Sequence, residues 1–447
     1  MRILLTVHQF FPDFKAGTEV LTLSVAKELI AIGHEVHIFT GHPGAANLSD
    51  AERFEQFEYE GITVSRFHHA YVPMHGQTSM IEIGYYNLLA QHYFNEIVTE
   101  FRPDCVHHFH LNRLGIGLID SLYMKGIPQF YTPTDFWMIC PTAQLMLGEG
   151  RYCDGPDSDA GNCIKHFTRD RLKGLAGGLI DKVPDVVFAK VSSITKNCQL
   201  IEYPMSNEVR ALNKRLSNTV GALNKLNGIV SPNDFMTNLF VKYGVNSKLI
   251  YNCQFGVDVA SVVSAQRTTK EDQKLQLGFI GTLAPHKGCH ILIKALQDLP
   301  PVSVKLKIYG SNIDFPDYFE ELKQLAQGNS NIEFCGTFPN ADIGKVIAQF
   351  DALVVPSIWY ENTPLVIYSA HACRCPVIAS NLPGISEVVE NEENGLLFEA
   401  GNSVKLNALL RGLLSDPDKL QRLGNKCKSP LSVAEYTSKL ISIWSDN

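Results

Sequence analysis

Short apolar runs of strand length alternate with helix-like stretches along almost the whole chain, and the alternation starts afresh near Leu275. Ile3 to Val7 is a first such run; a helical stretch from Thr18 to Ile32 follows, with Thr18 as its expected cap and Gly33 as its stop. Glu35 to Thr40, Cys105 to Phe109, Gln129 to Thr132, Gly228 to Val230 and Leu249 to Tyr251 continue the series. From Leu277 to Thr282 it resumes, and KLKIYG, IEFCGT, ALVVPS, PVIAS and GLLFE supply further strands with helices between them. Strands spaced by helices give a parallel sheet covered on both faces, so the pattern predicts two doubly wound α/β domains. Residues 1–257 form the first, the polar stretch Asp258 to Gln273 is the expected linker, and residues 274–429 form the second. Ser432 to Trp444 reads as a closing helix. Segment Thr142 to Lys173, rich in Gly, Asp and Cys, reads as an elaborated loop.

Open parallel sheets bind ligands at the carboxyl ends of their strands, so the expected site lies at such edges before any motif is considered. Composition narrows the ligand. A formal net charge of -7 argues against a general nucleic-acid binder, which would be basic. No apolar stretch approaches the roughly 20 residues that span a bilayer. The start MRILLTVHQFF lacks the features of a secretory signal, and the expected compartment is the cytoplasm. Eleven cysteines then read as reduced thiols rather than a disulfide framework.

The densest motif runs from Asp351 to Phe398. It holds Pro356-Ser357, Glu361, Pro364-Leu365-Val366, Pro376-Val377-Ile378, Gly384, Glu387 and Gly395-Leu396-Leu397. In order and spacing this resembles glycosyltransferase family 4, the retaining sugar transferases of GT-B fold. The resemblance implies two Rossmann-like doubly wound domains facing across a cleft, with a closing helix, residues 430–447, set back on the first. It implies a nucleotide-sugar donor of UDP or GDP type bound to the second domain. The turn Asn362, Thr363, Pro364 and Leu365 opens a helix whose first N–H groups lack intrahelical partners and can hold a diphosphate. Glu361 is then the residue that meets the transferred sugar. FIGTLAPHKG matches a second element of the family, placing Gly281 and Thr282 at the donor and Lys287 as the cation on its phosphates. A fixed cation there stabilises the charge that grows on the leaving diphosphate.

The N-terminal half carries the resemblance more thinly. Gly17, in FFPDFKAGTEV, stands where the family places a loop close to the diphosphate, and His110, which ends a strand near the expected cleft, is by the same resemblance a catalytic candidate. His107 and His108 read as structural. The chain departs from the family pattern at several positions. Thr282 replaces an Arg, Ser369 replaces the Glu that grips the ribose, Arg374 replaces a small Gly, and Thr134 replaces a His before Asp135. These departures leave open a non-catalytic sugar-nucleotide-binding protein, and the fold alone leaves open a sugar-nucleotide epimerase.

Cys140, Cys153, Cys163 and His166 form a separate constellation. Three thiolates and an imidazole suit tetrahedral zinc, so a structural zinc is weighed against four ordinary reduced side chains. No cofactor is expected for catalysis itself. The reading is a hexosyl-type transferase for cell-surface polysaccharide or glycoconjugate. Its acceptor is a carbohydrate, a lipid-linked molecule or a small molecule, and the family adds an expectation of peripheral contact with the inner face of the membrane.

Overall fold

A computed structural model of the chain describes residues 1–147, 150–172, 174–198, 200, 202–258, 274–300, 303–416 and 418–446, leaving aside the side chains of 174–176. It divides into two units, Met1–Pro232 with Met236–Cys253 and Thr437–Asn447, and Gln254–Tyr436 with Asn233–Phe235. Most of the expected linker, residues 259–273, lies outside the described residues.

The first unit is built on eight strands: β1 (Arg2–Val7), β2 (Glu35–Pro43), β3 (Phe54–Tyr59), β4 (Ile62–His69), β5 (Cys105–His108), β6 (Gln129–Tyr131), β7 (Gly228–Ser231) and β8 (Ile250–Asn252). Their order in the sheet is β3-β4-β2-β1-β5-β6-β7-β8, parallel apart from the β3–β4 pair. Ile3, Leu4, Leu5, Ile38, Val106 and Phe130 are wholly buried, as strands covered on both faces require. The chain winds outward from β1 through β2, then returns to β5 on the other side of β1. The sheet therefore reverses direction between β1 and β5.

The second unit has six strands, β9 (Leu275–Ile280), β10 (Val304–Tyr309), β11 (Ile332–Gly336), β12 (Ala352–Val355), β13 (Val377–Ser380) and β14 (Gly395–Phe398), in the order β11-β10-β9-β12-β13-β14. All five pairings are parallel. Leu277, Leu306, Ile293, Val354 and Leu410 centre one core on one side of this sheet. The reversal here falls between β9 and β12.

The expected strands are present within a residue or two of their bounds, except that β2 runs on to Pro43, three residues past the expected Thr40. Three local expectations differ. The hairpin β3–β4 escaped the reading because Phe54–Tyr59 carries alternating exposed charge rather than an apolar run. The first helix, Gly17–Ala31, has Ala16 as its cap residue with no side-chain bond, so Thr18 lies inside the helix instead of capping it. The elaborated loop ends early, since Gly161–Leu172 is helical. Asp157 explains that start: its carboxylate accepts from the amides of Gly161 (2.7 Å) and Asn162 (3.0 Å).

The closing helix runs Val433–Ser445. Its residues from Thr437 group with the first unit, where the Trp444 indole N–H donates to His107 Nδ1 at 3.1 Å. Among the described residues no helix is long and apolar enough to cross a membrane.

Candidate active site

In the second unit, Lys287 and Glu361 follow two adjacent strands. Lys287 ends a short 3-10 turn, Pro285–Lys287, after β9; Glu361 lies in the loop after β12. Their strands are neighbours at the reversal of the sheet, which brings together side chains far apart in sequence. Lys287 Nζ donates to Glu361 Oε1 at 2.7 Å, and the Ser357 hydroxyl donates to the same oxygen at 2.7 Å. Lys287 also lies over the Trp359 ring, 4.8 Å from its centroid.

Glu361 is 5% exposed. Burial pushes its carboxyl up, but the Lys287 charge and the bonds from Lys287 and Ser357 outweigh it, and the net shift is downward. His286, half-buried beside Lys287, is pushed down to about 4 by desolvation first and by the lysine charge second. Imidazole neutrality keeps Lys287 the local cation.

Two glycines make the arrangement sterically feasible. A Cβ on Gly288, at φ 72°, would lie 1.9 Å from the Pro356 carbonyl oxygen. A Cβ on Gly384, at φ 79°, would lie 2.0 Å from the Glu361 carbonyl oxygen. Both positions combine a left-handed backbone with no room for a side chain.

The other residues expected at a donor lie in the same unit. Gly281 follows β9 and its amide bonds Tyr309 O at 3.0 Å; Thr282 is the next residue, half-buried. Asn362 and Thr363 are buried, and Thr363 takes a φ of 61°, which is costly for a β-branched residue. Pro364 caps the helix Leu365–Ala372 without a side-chain bond, leaving its first amides directed outward from the turn. Ser369 is buried within that helix, and its hydroxyl donates to Leu365 O at 3.2 Å. Arg374, at φ 53°, takes the left-handed position after the helix that glycine favours.

In the first unit, Gly17 heads the helix that follows β1. His110 lies just beyond β5, at the other reversal. It is 1% exposed, and both ring nitrogens are engaged: Nδ1 accepts from the Asn112 amide at 3.0 Å, and Nε2 lies 2.8 Å from Asp135 Oδ2. Sequence reasoning did not single out His8, which follows β1 and packs against His110 with ring centroids 4.1 Å apart and the rings tilted by 39°. Nor did it single out Glu19, wholly buried, with Oε1 3.7 Å from His8 Nε2. Both sit near the resemblance yet carry no distinctive spacing of their own.

Cys140, Cys153, Cys163 and His166 line one pocket together with Met146 and Phe167. Among the described residues, however, no three His, Cys, Asp or Glu side chains are grouped as a metal ion requires. Cys140 Sγ is 3.3 Å from the Thr142 hydroxyl, and His166 Nε2 faces Asp170 at 3.2 Å. The four expected ligands thus line one pocket. The described cysteines are all free thiols.

Residues 263–429 match the family model for Glycosyl transferases group 1. The second unit carries a Glycosyl transferases group 1 domain. Across 248 residues the chain is 27% identical to spore coat protein SA of Bacillus subtilis, covering 49% of this chain and 65% of that one. Over 219 residues it is 26% identical to the alpha-maltose-1-phosphate synthase of Mycolicibacterium smegmatis, 46% of this chain and 55% of the relative. The chain thus spans less than two thirds of either curated relative. Among solved structures it is similar to Anabaena HepE in complex with UDP-glucose, with a TM-score of 0.66 at 17% identity, covering 100% of both chains. Similarity to WaaG, a glycosyltransferase involved in lipopolysaccharide biosynthesis, has a TM-score of 0.61 at 15% identity, again over 100% of both. The fold class is GT-B, with two Rossmann-like parallel-sheet units.

Proposed function

We propose that this chain is a retaining glycosyltransferase that moves a hexosyl group from a UDP- or GDP-type sugar nucleotide to an acceptor hydroxyl, in the making of a cell-surface polysaccharide or glycoconjugate. The observation that carries the reading is the Lys287–Glu361 pair, held at 2.7 Å at the reversal of the second sheet. It lies inside the span that matches the group 1 domain. HepE, the structural neighbour, is a protein crystallised with UDP and with UDP-glucose, which supports a nucleotide-sugar donor.

The chemistry follows from the groups present. The bond between the anomeric carbon and the diphosphate oxygen breaks, and its electron pair goes to that oxygen. Lys287, together with the outward amides of the helix Leu365–Ala372, neutralises the charge that develops there. Glu361, kept ionised, accepts from hydroxyls of the transferred sugar and fixes its orientation. The acceptor oxygen bonds the anomeric carbon from the face the diphosphate leaves, and its proton passes to a diphosphate oxygen. The bond to Glu361 holds Lys287 at this turn, where it would meet the diphosphate.

Two measurements test the reading. A panel of UDP- and GDP-sugars should raise the melting temperature of the wild-type chain, because a ligand bound only by the native state stabilises it. Nucleoside diphosphate release should then fall in both Lys287→Ala and Glu361→Ala. Unchanged release in both variants would rule the assignment out.

A further inference from the structure

The reading above leaves the first unit without a group that meets the acceptor, and the geometry there assigns one. We infer that Asp135, rather than His110, is the residue that binds the acceptor's hydroxyls, and that His110 is a positioning residue behind it; this rests on the proposed sugar transfer.

His110 has no nitrogen to offer. Its Nδ1 accepts a backbone N–H from Asn112, so the ring proton resides on Nε2 and is donated to Asp135 Oδ2. A substrate proton could be taken only by giving up one of these bonds, and at 1% exposure the ring is shielded from any ligand. His8 covers one face of the ring at 4.1 Å. Asp135 is the accessible member of the pair, with a side chain 27% exposed.

The carboxylate is fixed in place with capacity left over. Oδ1 accepts the Trp137 amide at 2.8 Å and Oδ2 accepts the His110 proton at 2.8 Å. Each oxygen keeps a second lone pair. The loop carrying it is pinned from below, where the buried Arg215 donates to the Trp137 and Ile139 carbonyls. It is pinned from the side by Thr134, whose hydroxyl donates to Phe109 O at 3.1 Å. Thr134 thereby ties the loop after β6 to the loop after β5. His8, His110 and Asp135 follow the adjacent strands β1, β5 and β6, at the edge where this fold class binds ligands.

A fixed carboxylate with free lone pairs selects hydroxyl donors and repels anions. The part of the acceptor that reaches Asp135 is therefore an uncharged polyol, such as a neutral pyranose with adjacent hydroxyls, rather than a phosphate.

The experiment uses the full chain with UDP-glucose and GDP-mannose as donors. Methyl α-D-glucopyranoside, methyl β-D-galactopyranoside and methyl α-D-mannopyranoside serve as acceptor probes. Asp135→Ala should raise the acceptor KM about 10- to 100-fold, the loss of a charge-assisted hydrogen bond, with a smaller change in kcat. His110→Ala should weaken the acceptor less, and His110→Gln, which keeps a donor toward Asp135, should recover most of that loss. The melting-temperature rise produced by UDP should match wild type in all three variants, which shows each is folded and separates the two units' roles. An acceptor KM within about twofold of wild type in Asp135→Ala overturns the inference, because a hydrogen bond worth keeping costs more than that. So does His110→Gln as weak as His110→Ala. UDP stabilisation with no transfer to any probe overturns it too while the donor reading stands. Absence of any stabilisation by UDP or GDP identifies the donor reading as the failure instead.

Discussion

Glu361 and Glu19 are both buried carboxylates at strand-to-helix connections, one in each unit, and their carboxyls are shifted in opposite directions. Glu361 has a lysine and a serine on one oxygen, and its carboxyl is held below the ordinary range. Glu19 is 0% exposed, and neither oxygen makes a hydrogen bond of normal geometry among the described residues. Burial pushes its carboxyl up, and the nearby amides of Glu19 and Ala16 and the Gln9 side chain offset this only in part. Its neighbour His8 is held well below the ordinary imidazole range, by burial first, so it supplies no cation. The lesson is that burial alone does not set charge; a partner within hydrogen-bond reach does. The Glu361 carboxyl is shifted down by its partners, and the Glu19 carboxyl is shifted up by burial.

The largest effect expected comes from erasing this difference. Lys287→Ala leaves Glu361 in the situation of Glu19, and turnover should fall about 100- to 1000-fold, the usual loss of one fixed charge-stabilising donor. Nucleoside diphosphate release under saturating donor is the measurement. Next is the backbone that lets the pair meet. Gly288→Ala must push a Cβ away from a carbonyl it would approach to 1.9 Å at φ 72°, and about 2–3 kcal/mol of stability should be lost, read by chemical denaturation.

A gentler probe uses pH. Because Glu361's value is lowered on folding, its contribution is present above the ordinary Glu value of about 4.3 and is lost as pH falls through the lowered value. Glu19's value is raised on folding, so its contribution is full below about 4.3 and is lost as pH rises through the raised value. Melting curves of Glu361→Gln should therefore lie below wild type at pH 7 and converge with it in acid. Those of Glu19→Gln should lie above wild type at pH 7 and also converge in acid. Separations of about 2–4 °C correspond to 1 kcal/mol in a unit of this size. Parallel trends in the two variants would break the comparison.

The smallest effect concerns the ribose side. Ser369 donates within its own helix to Leu365 O, so only its lone pairs remain for a ligand hydroxyl. Ser369→Ala should weaken UDP binding by about two- to fivefold, the modest worth of a neutral hydrogen bond, as read by calorimetric titration.

Much of the second unit was legible because its site is made of turns. Lys287-Gly288 and Glu361 to Leu365 each sit directly after a strand, and a chain segment that must leave a strand and enter a helix has few ways to do so. The first unit was less legible for the complementary reason. Asp135, His110 and His8 come from three strands, and their hydrogen bonds depend on ring orientation and on Arg215 beneath the loop, neither of which has a spacing. The cysteine constellation shows the same limit: Cys140, Cys153, Cys163 and His166 line one pocket, but the Cys140–Thr142 and His166–Asp170 contacts have no spacing in the sequence.

By itself the sequence determined the alternation of strands and helices, and hence two doubly wound sheets, because periodicity of burial is written residue by residue. It also placed Lys287 and Glu361 at strand ends. Only the tertiary structure decided that those two residues touch, that neither Glu19 oxygen has a hydrogen-bond partner among the described residues, and that Asp135 rather than His110 is the accessible group. Protonation and accessibility are set by neighbours in space, and strand order, which no local pattern encodes, chooses those neighbours.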